Sequence, residues 1–161
     1  MKSLEMIAEE LGFSDTSSTP TYQIKFVPEY RKYCEDNVCG NYDKLPTCPP
    51  GCGTFEQLRD KVMAYETAFV MKTLWTVEDF QDSKAFKEMK FQHNKITKEL
   101  VRQAGEQGLV GHMITAGPTA DTSCISAYCI DVSELAKTCN MEYFCGDNKV
   151  AFFSVFCYTA K

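Results

Sequence analysis

Residues 67–116 read TAFVMKTLWTVEDFQDSKAFKEMKFQHNKITKELVRQAGEQGLVGHMITA. The opening eleven residues, 67–77, are rich in β-branched and aromatic side chains and predict a buried strand. Over 83–107, Phe86, Met89, Ile96, Leu100 and Ala104 recur on one stripe, which predicts a helix of several turns. LVGHMITAG (109–117) then reads as a second strand, closed by Gly117-Pro118. A helix of that length can carry the chain between parallel strands, so 67–77 and 109–116 are expected to run parallel.

On the N-terminal side, Leu4, Ile7, Ala8 and Leu11 have helical spacing, with Gly12 as the stop. SDTSSTPT (14–21) reads as a polar connector, YQIKFVP (22–28) as a short strand, and 29–35 as one or two helical turns. TFEQLRDKVMAYE (54–66) is a helix. Thr54 and Gln57 have capping-box spacing, and Phe55, Leu58, Val62 and Tyr65 form its apolar face. IDVSELAKTC (130–139) is another helix, with Asp131 and Glu134 as its cap. MEYFCGDNKVAFFSVFCY (141–158) reads as a closing hairpin around a Gly-Asp-Asn turn. Strands alternating with helices define an α/β sandwich: a mixed sheet with helices on its faces and a C-terminal hairpin at one edge.

The 161 residues suffice for one domain, 1–161, without staples. Net charge is −5 and basic residues are scattered, which argues against a nucleic-acid partner. No apolar run approaches the roughly 20 residues that span a bilayer, and the N-terminus lacks a signal-peptide pattern. The chain therefore reads as cytoplasmic, with no membrane partner.

That setting bears on the nine cysteines. Disulfides are rare in reducing compartments, and an odd count argues against complete pairing. Cys34, Cys39, Cys48 and Cys52 fall within nineteen residues, in a C-x4-C-x8-C-x3-C loop spanning 34–53. Thiolates are soft ligands that suit zinc, copper(I) or iron–sulfur clusters. Pro49-Pro50 stiffens the chain beside Cys48, and the glycines let backbone amides approach sulfur. The spacing matches neither a zinc finger nor a ferredoxin run, so the alternatives are a metal site, reactive thiols or buried packing cysteines.

YCEDNVCGNYDKLPTCPPGCGTFEQL (33–58) and SAYCIDVSELAKTC (126–139), with IAEELGF (7–13) and GDNKVAFF (146–153), resemble a family of predicted metal-binding proteins of unknown function. Its members occur mainly in anaerobic bacteria and archaea. The resemblance implies an iron–sulfur or other metal site on Cys34, Cys39, Cys48 and Cys52. Relatives carrying CPPY in place of CPPGC make Cys52 the replaceable ligand, with Cys124 or Cys129 as substitutes. The chain departs from the family by lacking a second cysteine-rich, ferredoxin-like insertion: AGPTADTSCISAYC (116–129) passes almost directly into the next helix.

Cys124 and Cys129 repeat the C-x4-C spacing of Cys34 and Cys39, which suggests a second or shared site. Against this, Cys129 sits between Tyr128 and Ile130 like a small core residue. Cys139, Cys145 and Cys157 read as structural. His93 lies on the apolar face of the long helix and reads as a core histidine. His112 alternates with Ile114 near the site loop, where it could tune or ligate a metal. Glu35 and Asp36 read as a solvated turn beside Cys34. Phosphate-loop, dinucleotide and serine-hydrolase motifs are missing. The leading expectation is an iron–sulfur protein, [4Fe–4S] in type, serving electron transfer or redox sensing with a redox protein partner. A structural zinc module and a thiol-based redox enzyme working through Cys39 or Cys124 are the alternatives.

Overall fold

The computed structural model describes residues 1–36 and 42–160. Among them run α1 (Leu4–Leu11), β1 (Asp15–Pro20), α2 (Arg31–Glu35), α3 (Phe55–Met63), β2 (Thr67–Thr76), α4 (Ser83–Glu106), β3 (His112–Ile114), α5 (Val132–Thr138) and β4 (Lys149–Tyr158). The ends form as the local sequence dictates. Ser3 caps α1 by accepting from the Met6 amide, and Gly12, at φ 100°, ends it in the left-handed region that favours glycine. Thr54 and Gln57 make the full capping box on α3, and Asp131 accepts from the Glu134 amide to start α5.

The sheet order is β1-β2-β4-β3, and every strand pairing is antiparallel. β2 and β3 do run parallel to each other, but they are not neighbours, because β4 lies between them and pairs with both. The α4 connection therefore crosses over an inserted strand. The reason lies in β4 itself. Phe153, Val155 and Cys157 are buried on one face and Phe156 on the other, and a strand buried on both faces belongs at the centre of a sheet. No hairpin closes the chain, since 141–145 forms no strand and Tyr143 instead stacks on Phe153.

The expected order of the first strand is also reversed. The polar segment 15–20 is the edge strand, in register from Asp15↔Lys72 to Pro20↔Thr67. An edge needs only one ladder and tolerates polar side chains. The expected strand at 22–28 is two 3-10 turns, Thr21–Gln23 and Pro28–Tyr30, with a single bridge from Phe26 to Ile130.

Helices cover both faces, giving the α/β sandwich. On one side α1 and α4 bury Leu4, Ile7, Leu100 and Ala104 against Phe69, Met71 and Phe156. On the other, Leu58 and Val62 of α3 and Leu135 of α5 pack with Val70, Ile114, Val155 and the segment around Tyr128. The buried stripe of α4 is His93, Asn94, Thr97, Leu100 and Ala104, so Phe86 and Met89 of the expected stripe are only half-buried. Polar members of this stripe find partners: Thr97 Oγ1 shares a 2.9 Å hydrogen bond with Ser154 Oγ, and Asn94 Oδ1 accepts from the Ala116 amide at 3.0 Å. No helix among the described residues is long and apolar enough to cross a membrane.

Candidate metal centre

The cysteine loop leaves α2 and enters α3. Cys34 is buried on α2, Cys48 is buried in the loop, and Cys52 is half-buried at its exit. The Cys52 amide donates to the Cys48 carbonyl at 3.1 Å, and the Cys48 amide donates to the Leu45 carbonyl, so Cys48 and Cys52 share one turn. Pro49-Pro50 is a cis peptide inside that turn. Gly53, at φ 110°, then redirects the chain into the Thr54 cap; a Cβ there would lie 2.7 Å from Gln57 Oε1, the atom that completes the capping box. Cys39 lies outside the described residues.

A second loop, 115–124, meets the first. Thr47 Oγ1 donates to the Thr119 carbonyl at 2.7 Å. The second loop is held by its own threonines: Thr115 Oγ1 donates to the Gly117 carbonyl at 2.6 Å and shares a 3.0 Å bond with Thr122 Oγ1. Asn94 of α4 anchors it from behind. Cys124 is half-buried where this loop bridges to Thr115. Cys129 is wholly buried on a left-handed backbone at φ 57°, and its thiol donates to the Pro28 carbonyl at 3.7 Å.

Arg31, the first residue of α2, joins these pieces. Its Nε donates to the Ala127 carbonyl at 3.0 Å and its Nη2 to the Gly53 carbonyl at 2.8 Å, while the same Nη2 lies 3.6 Å from Cys52 Sγ. Burial pushes the Cys52 thiol up from its ordinary range, the Arg31 guanidinium pulls it back, and the Cys124 thiol adds to the rise. Burial likewise raises Cys129, again opposed by Arg31. The Tyr128 hydroxyl is raised first by burial and then by the thiols of Cys157, Cys52 and Cys124. Tyr128 and Cys157, with Cys52 and Cys124 packed against them, belong to the core cluster on the α3/α5 side of the sheet. His112 Nε2 is 2.5 Å from the Tyr128 hydroxyl, and burial lowers its pKa, with Lys61 adding to the effect.

Cys139 and Cys157 are buried, and burial raises both thiols, Cys157 to about 12. They are packing residues. Cys145 is half-exposed, with its thiol directed at the Glu142 carbonyl. His93 is fully buried. Its Nδ1 is 2.7 Å from Thr73 Oγ1, and its ring packs edge-on against Phe13. A cleft of about 350 Å³ lies on the α1/α4 side, lined by Leu11, Thr73, Trp75 and Ile96 among others, and no cysteine lines it.

The concentrated chemistry of the molecule is thus a set of thiols on the face of an α/β sheet opposite α4, with a guanidinium in contact with one of them. Soft donors of this kind suit a thiophilic metal. Among the described residues no three His, Cys, Asp or Glu side chains are already gathered as a ligand group, and Cys39, one of the four expected ligands, is not among those residues. The donor chemistry fits a metal.

A family model described as predicted metal-binding protein (DUF2284) matches residues 18–120, and the chain belongs to that family. The match contains the loop with Cys34, Cys39, Cys48 and Cys52. No curated protein and no solved structure matches the chain.

Arg31, Thr47 and Asn94 escaped the sequence reading. Each acts on a carbonyl, amide or thiol 21 to 96 positions away in the chain, which no local motif records, except that Arg31 stands one helical turn before Cys34.

Proposed function

We propose that this protein binds a metal through the thiolates of Cys34, Cys39 and Cys48, with Cys52 as fourth ligand, in the form of a [4Fe–4S] cluster. The role is electron transfer or redox sensing for a redox protein partner in a reducing, cytoplasmic setting. The observation that carries this reading is the donor set: four cysteines within nineteen residues, in a chain of a predicted metal-binding family. An iron–sulfur cluster supplies one-electron chemistry, with a potential set by hydrogen bonds to its sulfurs and by burial. What the chain contributes is legible in its own residues. Cys34 and Cys48 are shielded from water, the turn from Leu45 to Cys52 holds two thiols on one segment, and Arg31 offers an N–H to Cys52. Cys124, which packs against the same core cluster as Cys52, or Cys129 is the replacement ligand if Cys52 is not used.

The test is metal and sulfide analysis of protein purified without oxygen. About four iron and four sulfide per chain, with a brown colour lost in a Cys34→Ser variant, is the expected result. Colourless protein carrying one zinc per chain would overturn the cluster assignment and favour a structural zinc site.

A further inference from the structure

We propose that Arg31 is the positioning residue of the thiolate site: its guanidinium orients the Cys52 sulfur for metal binding and locks the Cys52 loop to both α2 and the segment that follows Cys124. This deepens the metal-binding function proposed above and rests on it.

Three contacts carry the inference. Arg31 Nη2 serves both the Gly53 carbonyl at 2.8 Å and Cys52 Sγ at 3.6 Å, while Nε holds the Ala127 carbonyl at 3.0 Å. The partners lie 22, 21 and 96 positions away in the chain, so one side chain joins three segments that no strand pairing connects. Arg31 is also one helical turn from Cys34, and tethering it fixes the helix that presents this thiol. A carbonyl contact alone would describe a structural arginine; the contact with sulfur is what adds a chemical role. A cation donating to a ligating sulfur restricts its rotamer and offsets the negative charge that several thiolates bring to one ion. Only a planar fork with five donors can serve a carbonyl on one side and a carbonyl with a sulfur on the other. A lysine ammonium at this position keeps the charge but loses that geometry.

The experiment is a Co²⁺ titration of the metal-free, reduced full chain under anaerobic conditions, for wild type, Arg31→Lys, Arg31→Met, Cys52→Ser and the double variants. It follows both affinity and the thiolate-to-cobalt charge-transfer absorption. Arg31→Lys and Arg31→Met are expected to weaken Co²⁺ binding by about 10- to 100-fold, in line with the loss of an outer-sphere partner, and to diminish the charge-transfer band. In the Cys52→Ser background the same Arg31 substitutions should change affinity less than about threefold, because the sulfur through which Arg31 acts is gone. Should Arg31→Met fail to fold by circular dichroism, Arg31→Lys carries the comparison. Wild-type affinity and spectrum in Arg31→Lys overturn the role of Arg31 while leaving the metal reading intact. An equal loss with and without Cys52 also overturns it and makes Arg31 purely structural. Absence of Co²⁺ binding by the wild type overturns both.

Discussion

Replacing His93 by asparagine should remove a defined part of the protein's acid sensitivity. The imidazole is fully buried, and burial lowers its pKa to about 3 from the ordinary 6.5. Trp75 Nε1 donates to Thr73 Oγ1 at 2.7 Å, which places the Thr73 hydroxyl to donate to His93 Nδ1 and leaves the ring proton on Nε2. Nε2 has no hydrogen-bond partner among the described residues. A charged ring has nothing there to compensate its desolvation, so the folded state binds a proton poorly. Between about pH 6.5 and pH 3 the unfolded chain binds more protons than the folded one, and stability falls with pH across that window. The contribution is complete above pH 6.5. By pH 5 the loss from this one group is about 2 kcal/mol relative to pH 8.

Asparagine places an acceptor near the Nδ1 position, which can keep the Thr73 contact, and it does not titrate. Its smaller volume beside Phe13 and Phe152 should cost about 1–3 kcal/mol at every pH. The assay is urea unfolding of the metal-free protein at pH 8 and pH 5 for both chains. His112, also lowered by burial, and the carboxylates contribute equally to both and cancel in the comparison. The variant should be less stable at pH 8 yet lose about 2 kcal/mol less than the wild type on going to pH 5. An identical pH dependence in the two proteins, or a His93 resonance titrating above pH 6, would refute the reasoning.

Three further outcomes follow from the packing and caps described above. At Gly111 a Cβ would stand 2.0 Å from the Cys157 carbonyl oxygen, so Gly111→Ala must push β3 off β4 and should cost about 3 kcal/mol or more, measured by denaturant midpoint. Thr54→Ala removes the hydroxyl half of the capping box and should cost about 1 kcal/mol, a fall of roughly 2–4 °C in Tm by calorimetry. Alkylation of the native, reduced protein at pH 8, read by peptide mass spectrometry, should modify half-exposed Cys145 well before Cys139 or Cys157, whose thiols burial protects and raises; early labelling of Cys157 would contradict its central position in β4.

Local interactions were legible in the chain itself. The α1 stop at Gly12, the Thr54–Gln57 box and the Asp131 cap each depend on residues within four positions of one another, and all three form as read. The long helix between two apolar strands was equally plain, because its stripe and the β-branched run of 67–77 are properties of contiguous sequence. The sheet order was not. That β4 inserts between β2 and β3, and that the polar 15–20 segment forms the edge, depends on which strands can satisfy both ladders and both faces at once. A strand judged alone does not show how many neighbours it needs.

The cysteine loop divides in the same way. Its thiols, their spacing and the soft-metal chemistry they imply are matters of residue type, and the sequence alone determined them. Only the tertiary structure brings Arg31 against Cys52, the Thr119 loop against Thr47, and Cys124 into the electrostatic reach of Cys52. Those contacts join segments up to 72 residues apart, and their existence follows from a shared burial surface on the sheet rather than from any local preference of the chain.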